Sequence, residues 1–369
     1  MTPFRRWCVV ALGTLLLIGV PIGLRALPAA ESDVSASALL ERVRASQDAG
    51  WSGYVETEGT LQLPDADQFS DVGALFGEGT VLRAWWRDAD HWRVDQLLLT
   101  GERDLIHDGG RTTAWDYERA EATVSRDPDI RLPRSADLVP PELARRFLDG
   151  VGDGDVSRLD ARRVAGVSAP GLRIVPSSEL SSIDHVDLWA DPDTGVPLRV
   201  EVYAGSGKPA FTSTFEEFDG ARPPAADVDF TATPSSDVEY DDVLDIADAA
   251  NQYAPVRPPR TVAGLAKSES SDRAVGVYGE GLTQVIAIPL RDREADALRD
   301  QLAVTPGVER TDGTEDGPGR TLVTVGPLGV VLTGTEGEGG WLLAGTLNRD
   351  GLVRAADDVV RGFRYVGRG

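Results

Sequence analysis

Between Gly53 and Phe218 the chain is dominated by short runs in which apolar and polar residues alternate with a period of two, the mark of strands buried on one face only. The clearest is HVDLWADPDTGVPLRVEVY, from His185 to Tyr203. Val186, Leu188 and Ala190 alternate with His185, Asp187 and Trp189, and Leu198, Val200 and Val202 alternate with Arg199, Glu201 and Tyr203. Between the two runs, Asp191-Pro192-Asp193-Thr194-Gly195 supplies a preset φ at Pro192, side-chain acceptors and a glycine able to take positive φ, so the connection is a turn. Similar runs at 53–63, 80–87, 92–99, 103–107, 112–117, 122–125, 158–164, 171–175 and 208–218 bring the total to about eleven strands, within the range of one curling sheet. Only two helical patterns accompany them, at 36–49 and 140–149. Two short helices cannot easily cover so many strands, and the remainder would be a larger apolar patch than monomers tolerate. The expectation is a curled antiparallel sheet around an apolar cavity.

Alternation also nominates the lining. Leu82, Ala84 and Trp86 share a face, as do Trp92, Val94 and Leu98. With Trp115, Leu188, Leu198 and Val200 added, the candidate ligand-binding residues are Leu82, Trp86, Trp92, Val94, Leu98, Trp115, Leu188, Leu198 and Val200. A lipid chain buried on such a wall gains about 0.8 kcal/mol per methylene, so chain length would matter more than any polar contact.

The residues suited to chemistry are sparse. His91, His107 and His185 are the only histidines, and none has metal-ligand spacing with another. AGSGKP, at 204–209, lacks the first glycine and the Ser/Thr of a phosphate loop and joins two strands, so it reads as a hairpin turn. The acidic stretches at 65–68, 149–155 and 312–317 lack the full calcium-loop pattern with its terminal glutamate and read as solvated turns. No catalytic residue, metal or cofactor is expected. An enzyme acting on envelope polymers has only the abundance of carboxylates in its favour. A formal net charge of −23 argues against nucleic acid or an anionic membrane surface as a direct partner.

Arg5 and Arg6 precede an apolar stretch at 7–24, the arrangement of an export segment. At about 18 residues it is long enough either to be a cleaved signal peptide or to stay as an anchor, and both readings stand. The single cysteine, Cys8, lies at the start of that stretch, so the exported part has no disulfide to rely on. At 369 residues the chain is long for one core. The expected division is a signal peptide or anchor at 1–30, a sheet domain at 31–240, a linker at 241–260 and a small α+β domain at 261–369. The last carries strand-like LTQVIAIPL, TLVTVGPLGVVLTGT and GWLLAGTL and amphipathic helices at 292–304 and 349–363.

Several of these stretches resemble one family. The export segment, ALLERVRAS running into GWSGYVETEG, the DLIHDGGRTTAWDYE hairpin and above all VDLWADPDTGVPLRVEVY followed by FTSTFEEF are similar to the LolA/RseB (MucB) family. The resemblance covers residues 33 to about 240, with DADQFSDVGALFGE, at 65–78, as an insertion. It implies a mainly β fold with some α structure: a half-open antiparallel β-barrel capped by helices, followed here by the small α+β domain. It further implies an extracytoplasmic binding protein with no catalytic residue, taking a lipid or lipoprotein-like amphiphile. The second domain favours the RseB side of the family, which implies control of a membrane anti-sigma factor. A LolA-type carrier of lipid or lipoprotein is the alternative.

Overall fold

The computed structural model describes residues 28–60, 75–77, 79–128, 130–205, 207–232, 236–240, 246–269, 273–313 and 319–366. The apolar stretch 7–24 and most of the insertion lie outside these residues. Among the described residues, no helix is long and apolar enough to cross a membrane.

Helix α1 (Ala36–Ala45) starts at Ser35, whose hydroxyl accepts from the Ala38 N–H, and buries Leu39, Leu40 and Val43. Then come β1 (Trp51–Gly59) and a meander of β2 (Thr80–Asp88), β3 (His91–Leu98), β4 (Gly101–Asp108), β5 (Arg111–Asp116) and β6 (Glu121–Arg126). Helix α2 (Pro140–Phe147) has prolines in its first turn, where a missing N–H costs nothing. Strands resume with β7 (Val156–Val164), β8 (Val167–Ile174), β9 (His185–Ala190), β10 (Pro197–Tyr203) and β11 (Pro209–Asp219), and β12 (Asp237–Tyr240) follows a crossing segment.

All twelve strands form one sheet in the order β12-β6-β5-β4-β3-β2-β1-β11-β10-β9-β8-β7. The long return of β11 against β1 fuses the two meanders. Pairing is antiparallel except for β12, which lies parallel to β6, and the sheet stays open, with β12 and β7 as its edges. A single buried cluster contains inner-face residues of β1–β3, of β8–β11 and of both helices, so the sheet curls until its two arms meet over them. The expected mainly β, half-open sheet capped by helices is therefore what the chain forms.

The second domain begins with α3 (Ile246–Tyr253), inside the span expected to be a linker. Ala250 is buried in the second core, and the Tyr253 hydroxyl donates to the Pro289 carbonyl at 2.8 Å. Three short strands follow: β13 (Val256–Arg257), β14 (Thr261–Val262) and β15 (Leu265–Ala266). After them come β16 (Gly276–Glu280), β17 (Thr283–Leu290), α4 (Asp292–Ala303), β18 (Glu309–Thr311), β19 (Arg320–Val325), β20 (Leu328–Thr333), β21 (Gly340–Gly345), α5 (Arg349–Gly362) and β22 (Arg364–Tyr365). Six of these strands form a sheet, β16-β17-β21-β20-β19-β18, and α5 packs Leu352, Ala355 and Val359 into its core.

The domains meet through the β8–β9 connection. The Ser182 N–H donates to Thr346 O at 3.0 Å, the Asn348 N–H to Leu180 O at 2.8 Å and the Ser181 hydroxyl to Leu282 O at 3.0 Å. Leu282, from the second domain, is buried in the first domain's core.

Candidate functional site

On the inner wall, register places Trp51 opposite Trp86, Trp86 opposite Trp92 and Trp92 opposite His107, across four adjacent strands. Neighbouring strands are about 4.8 Å apart, so flat side chains at facing positions stack like rungs. The ring centroids are 5.6, 5.2 and 5.2 Å apart with interplanar angles of 7°, 2° and 10°. Phe215 of β11 meets Trp51 edge-on at 5.3 Å. At the other end, His107 Nδ1 lies 3.0 Å from the Thr112 hydroxyl, which donates to Asp127 at 2.8 Å, and Asp127 pairs with Arg134 at 2.8 Å. Burial pushes the His107 imidazole below its ordinary pKa, with Asp127 opposing and Arg134 adding to the shift.

The helical cap is pinned to this wall by polar anchors. The Ser213 hydroxyl of β11 donates to Leu138 O at 2.6 Å, just ahead of α2. Asp137 accepts from Arg131 at 2.7 and 3.0 Å, from Arg146 at 2.6 Å and from the Arg134 N–H at 2.7 Å. Burial alone would raise the Asp137 carboxyl, but the Arg131 hydrogen bond and the Arg146 and Arg131 charges hold it below its ordinary value. The Asp191 turn holds α1: Asp191 Oδ1 accepts from Asp193 N–H, Thr194 N–H and the Thr194 hydroxyl, while Arg42 of α1 donates to Pro192 O at 3.4 Å. Between the two helices a cleft of about 20 Å³, room for roughly one water, is lined by Val43, Trp51, Trp86, Glu142, Leu148 and Pro197 among others.

Seven of the nine nominated residues, Leu82, Trp86, Trp92, Val94, Leu188, Leu198 and Val200, lie together in the first core, covered by the protein's own side chains. Leu98 sits at the end of β3 and is 39% exposed. Trp115 stands elsewhere: it pairs with Asp104 and Ala122, on the outer face of the sheet, and lies 5.6 Å from Phe230. Sequence reasoning missed Trp51 and His107 as parts of the wall, because membership depends on register across strands.

The outer face carries two charged groups. On β7–β10, Arg173 grips Asp187 through two 2.7 Å bonds, and Arg162 and Arg199 bracket Glu201 at 2.8 and 2.6 Å. On β3–β4, Arg93 serves three carboxylates, Asp95 at 2.6 Å, Asp104 at 2.8 Å and Glu102 at 3.9 Å, and it shares the Trp85 ring with Arg83. Burial, and then the Asp95 charge, push the Asp104 carboxyl up to about 8; burial raises Asp95 as well. No sequence motif flags this cluster, because a hairpin separates Asp95 from Glu102 and Asp104.

No protein-family model and no curated protein sequence matches the chain. Among solved structures, the MucA/MucB complex of Pseudomonas aeruginosa is similar over 90% of this chain and 99% of that chain, at 19% identity and a TM-score of 0.49. A structure of MucB in complex with MucA(peri) is similar over 90% of this chain and 100% of that chain, at 18% identity and a TM-score of 0.49. A LolA superfamily protein from Nitrosomonas europaea is similar over 53% of this chain and 98% of that chain, at 12% identity and a TM-score of 0.24. The chain thus resembles MucB over most of its length and a LolA superfamily protein over about half of it.

Proposed function

We propose that this protein is an extracytoplasmic regulatory binding protein of the RseB type, which takes an apolar or lipid ligand on its inner wall and controls a membrane anti-sigma factor. The observation that carries the reading is the wall itself: an aromatic and aliphatic surface spanning both arms of an open-edged sheet and covered in large part by α1, α2 and the segment that leads into α2. Covering a wall with two separately anchored helices suits a surface that is exposed and hidden in turn, because a lifted helix is replaced by ligand at little net loss of apolar burial. His107 is the one titratable group in the ring ladder, which suits binding better than catalysis.

The second domain supports the regulatory reading over a carrier. It is seated on the β8–β9 connection, so it can report on the wall to a partner. MucB has been observed with MucA bound; by analogy, the partner here is the extracytoplasmic part of an anti-sigma factor. Arg5, Arg6 and the apolar stretch 7–24 favour export, after which the protein is either released or held at the membrane.

The test is a titration of the purified protein with a fatty acid and with a lysophospholipid, followed by tryptophan emission, with native mass spectrometry of the same samples. Emission should change as the rings around Trp86 and Trp92 exchange neighbours, and bound amphiphile should appear in the spectrum. Unchanged emission with no adduct at saturating ligand removes lipid sensing from the proposal.

A further inference from the structure

The cap meets the second domain at one short segment. Helix α2 ends at Phe147 and the chain leaves it through residues 147–151, against which the β16–β17 turn of the second domain, residues 280–282, is packed. Gly281 adopts φ of +54°, and a Cβ there would stand 2.2 Å from Asp149 O and 3.2 Å from Phe147 O. From the other side, Gly150 adopts φ of +71°, and a Cβ there would stand 2.4 Å from the Glu280 carboxyl carbon. Neither position has room for a side chain, so the two backbones lie against each other. Leu282, next along the turn, is 4% exposed and belongs to the first domain's core.

The same segment also holds α1, because Arg44 donates to Leu148 O and Val151 O. Both cap helices therefore depend on where residues 147–151 sit. Leu148 lines the cleft between the helices together with Trp51 and Trp86, so a displacement here opens onto the aromatic ladder. The contact with the second domain is made by packing. Among the described residues, no hydrogen bond joins 147–151 to 280–282. The turn's one hydrogen bond to the first domain, among those residues, comes from the Ser181 hydroxyl of the β8–β9 connection. That connection also bonds the second domain through the Ser182 N–H and Leu180 O. The turn and the connection thus form one piece, which can part from α2 without stranding a polar group.

We propose that the β16–β17 turn is a latch on the cap: α1 and α2 lift from the wall only when the second domain withdraws Gly281 and Leu282 from the exit of α2. The second domain then controls access to the wall, beyond any part it has in reporting on it. A small packed contact suits this use, because it opens as a unit at a free energy below that of global unfolding. A partner that draws the second domain away would free the cap, and a guest that lifts α2 would loosen the second domain by the same factor, since coupling between two sites is reciprocal. The latch rests on these contacts alone; that the surface it guards takes an amphiphile rests on the function proposed above.

Hydrogen–deuterium exchange of the full chain tests the latch. Leu282→Ala removes the buried knob, and Gly281→Val drives a side chain into Asp149 O. Either should speed exchange of the α1 and α2 amides by roughly tenfold or more, with β4–β6 of the first domain and α5 of the second unchanged. Gly264→Ala is the control: it strains the second domain's backbone equally, at φ of +82°, with nothing within 4 Å of a Cβ, and should leave α2 as in the parent. The converse experiment closes the latch. A Cβ at Gly150 would lie 2.6 Å from Glu280 Cγ, within disulfide reach, so Gly150→Cys with Glu280→Cys, in a Cys8→Ser background, should slow α2 exchange and block oleate binding when oxidised, and reduction should restore both. Slowed exchange with no oleate bound in any form would support the latch while removing the lipid reading. Equal α2 exchange in the oxidised and reduced forms, unchanged exchange in both Leu282→Ala and Gly281→Val, or an equal rise in Gly264→Ala would overturn the proposal.

Discussion

The indoles of Trp86 and Trp92 stack with centroids 5.2 Å apart and planes 2° from parallel. They are the middle rungs of a ladder from Trp51 to His107 that crosses the arm of the sheet formed by the first meander. Each rung is held by the ones on either side, so losing one should loosen the wall as a whole. Trp92→Ala removes a ring that is 6% exposed and stacked on both faces. It should cost about 3–5 kcal/mol, read as a lowered midpoint in urea unfolding. Trp92→Phe should recover part of the loss.

His107 gives the ladder a pH dependence. Because burial depresses its pKa below 6.5, the unfolded chain binds a proton that the folded chain resists. This contribution to stability is complete above pH 6.5 and is lost as pH falls through the folded-state pKa. His107→Gln should flatten that limb: the difference in unfolding free energy between variant and parent should change between neutral and mildly acidic pH and then level off. Parallel curves for the two proteins would count against a depressed imidazole.

Asp137 acts where the chain enters the cap, gathering Arg131, Arg146 and the Arg134 N–H. Removing one partner of a buried ionic group costs more than the group adds in the first place. Asp137→Asn should therefore destabilise the protein by about 3 kcal/mol, as measured by chemical denaturation at neutral pH. Since this carboxyl titrates below its ordinary 3.8, its contribution is present above that pH and is lost as pH drops towards the folded value. The cost of Asp137→Asn should shrink in strongly acidic buffer.

Gly195 tests how tightly α1 is seated. It adopts φ of +77°, and a Cβ there would stand 2.4 Å from the Arg42 carbonyl oxygen of α1. Gly195→Ala faces both the left-handed backbone cost of about 1–2 kcal/mol and a clash with the helix. It should lower Tm by several degrees and make the α1 amides exchange faster with deuterium. A silent substitution would show that the turn does not carry the helix.

Much of this architecture is readable from residues alone. The alternation in β9 and β10 and the Asp191–Gly195 turn appear where the sequence pattern puts them, and the second domain's helices α4 and α5 follow their apolar spacing. What the pattern lacks is register. Alternation fixes which residues of one strand share a face, but the two-residue turn after β4 pairs His107 with Thr112 and Leu105 with Ala114, which sends Trp115 outward. β12 escapes notice for a different reason: Asp237–Tyr240 is acidic and short, and it gains its place only by pairing parallel with β6. The expected hollow is a question of area. Once the sheet curls, its two arms and the bulky rings between them fill much of the space that a flatter sheet would leave open.

The β8–β9 connection belongs to one domain by sequence and is clasped by the other. Ser181 pairs with Leu347 as a β-bridge, Ser182 takes Thr346 O, and the Ser182 hydroxyl reaches Pro327 O. β9 begins only a few residues later, with Val186 and Leu188 in the first core. The joint is therefore a short tether: any displacement of β9 would have to be absorbed within these few residues or passed to the second module through the bonds that clasp them.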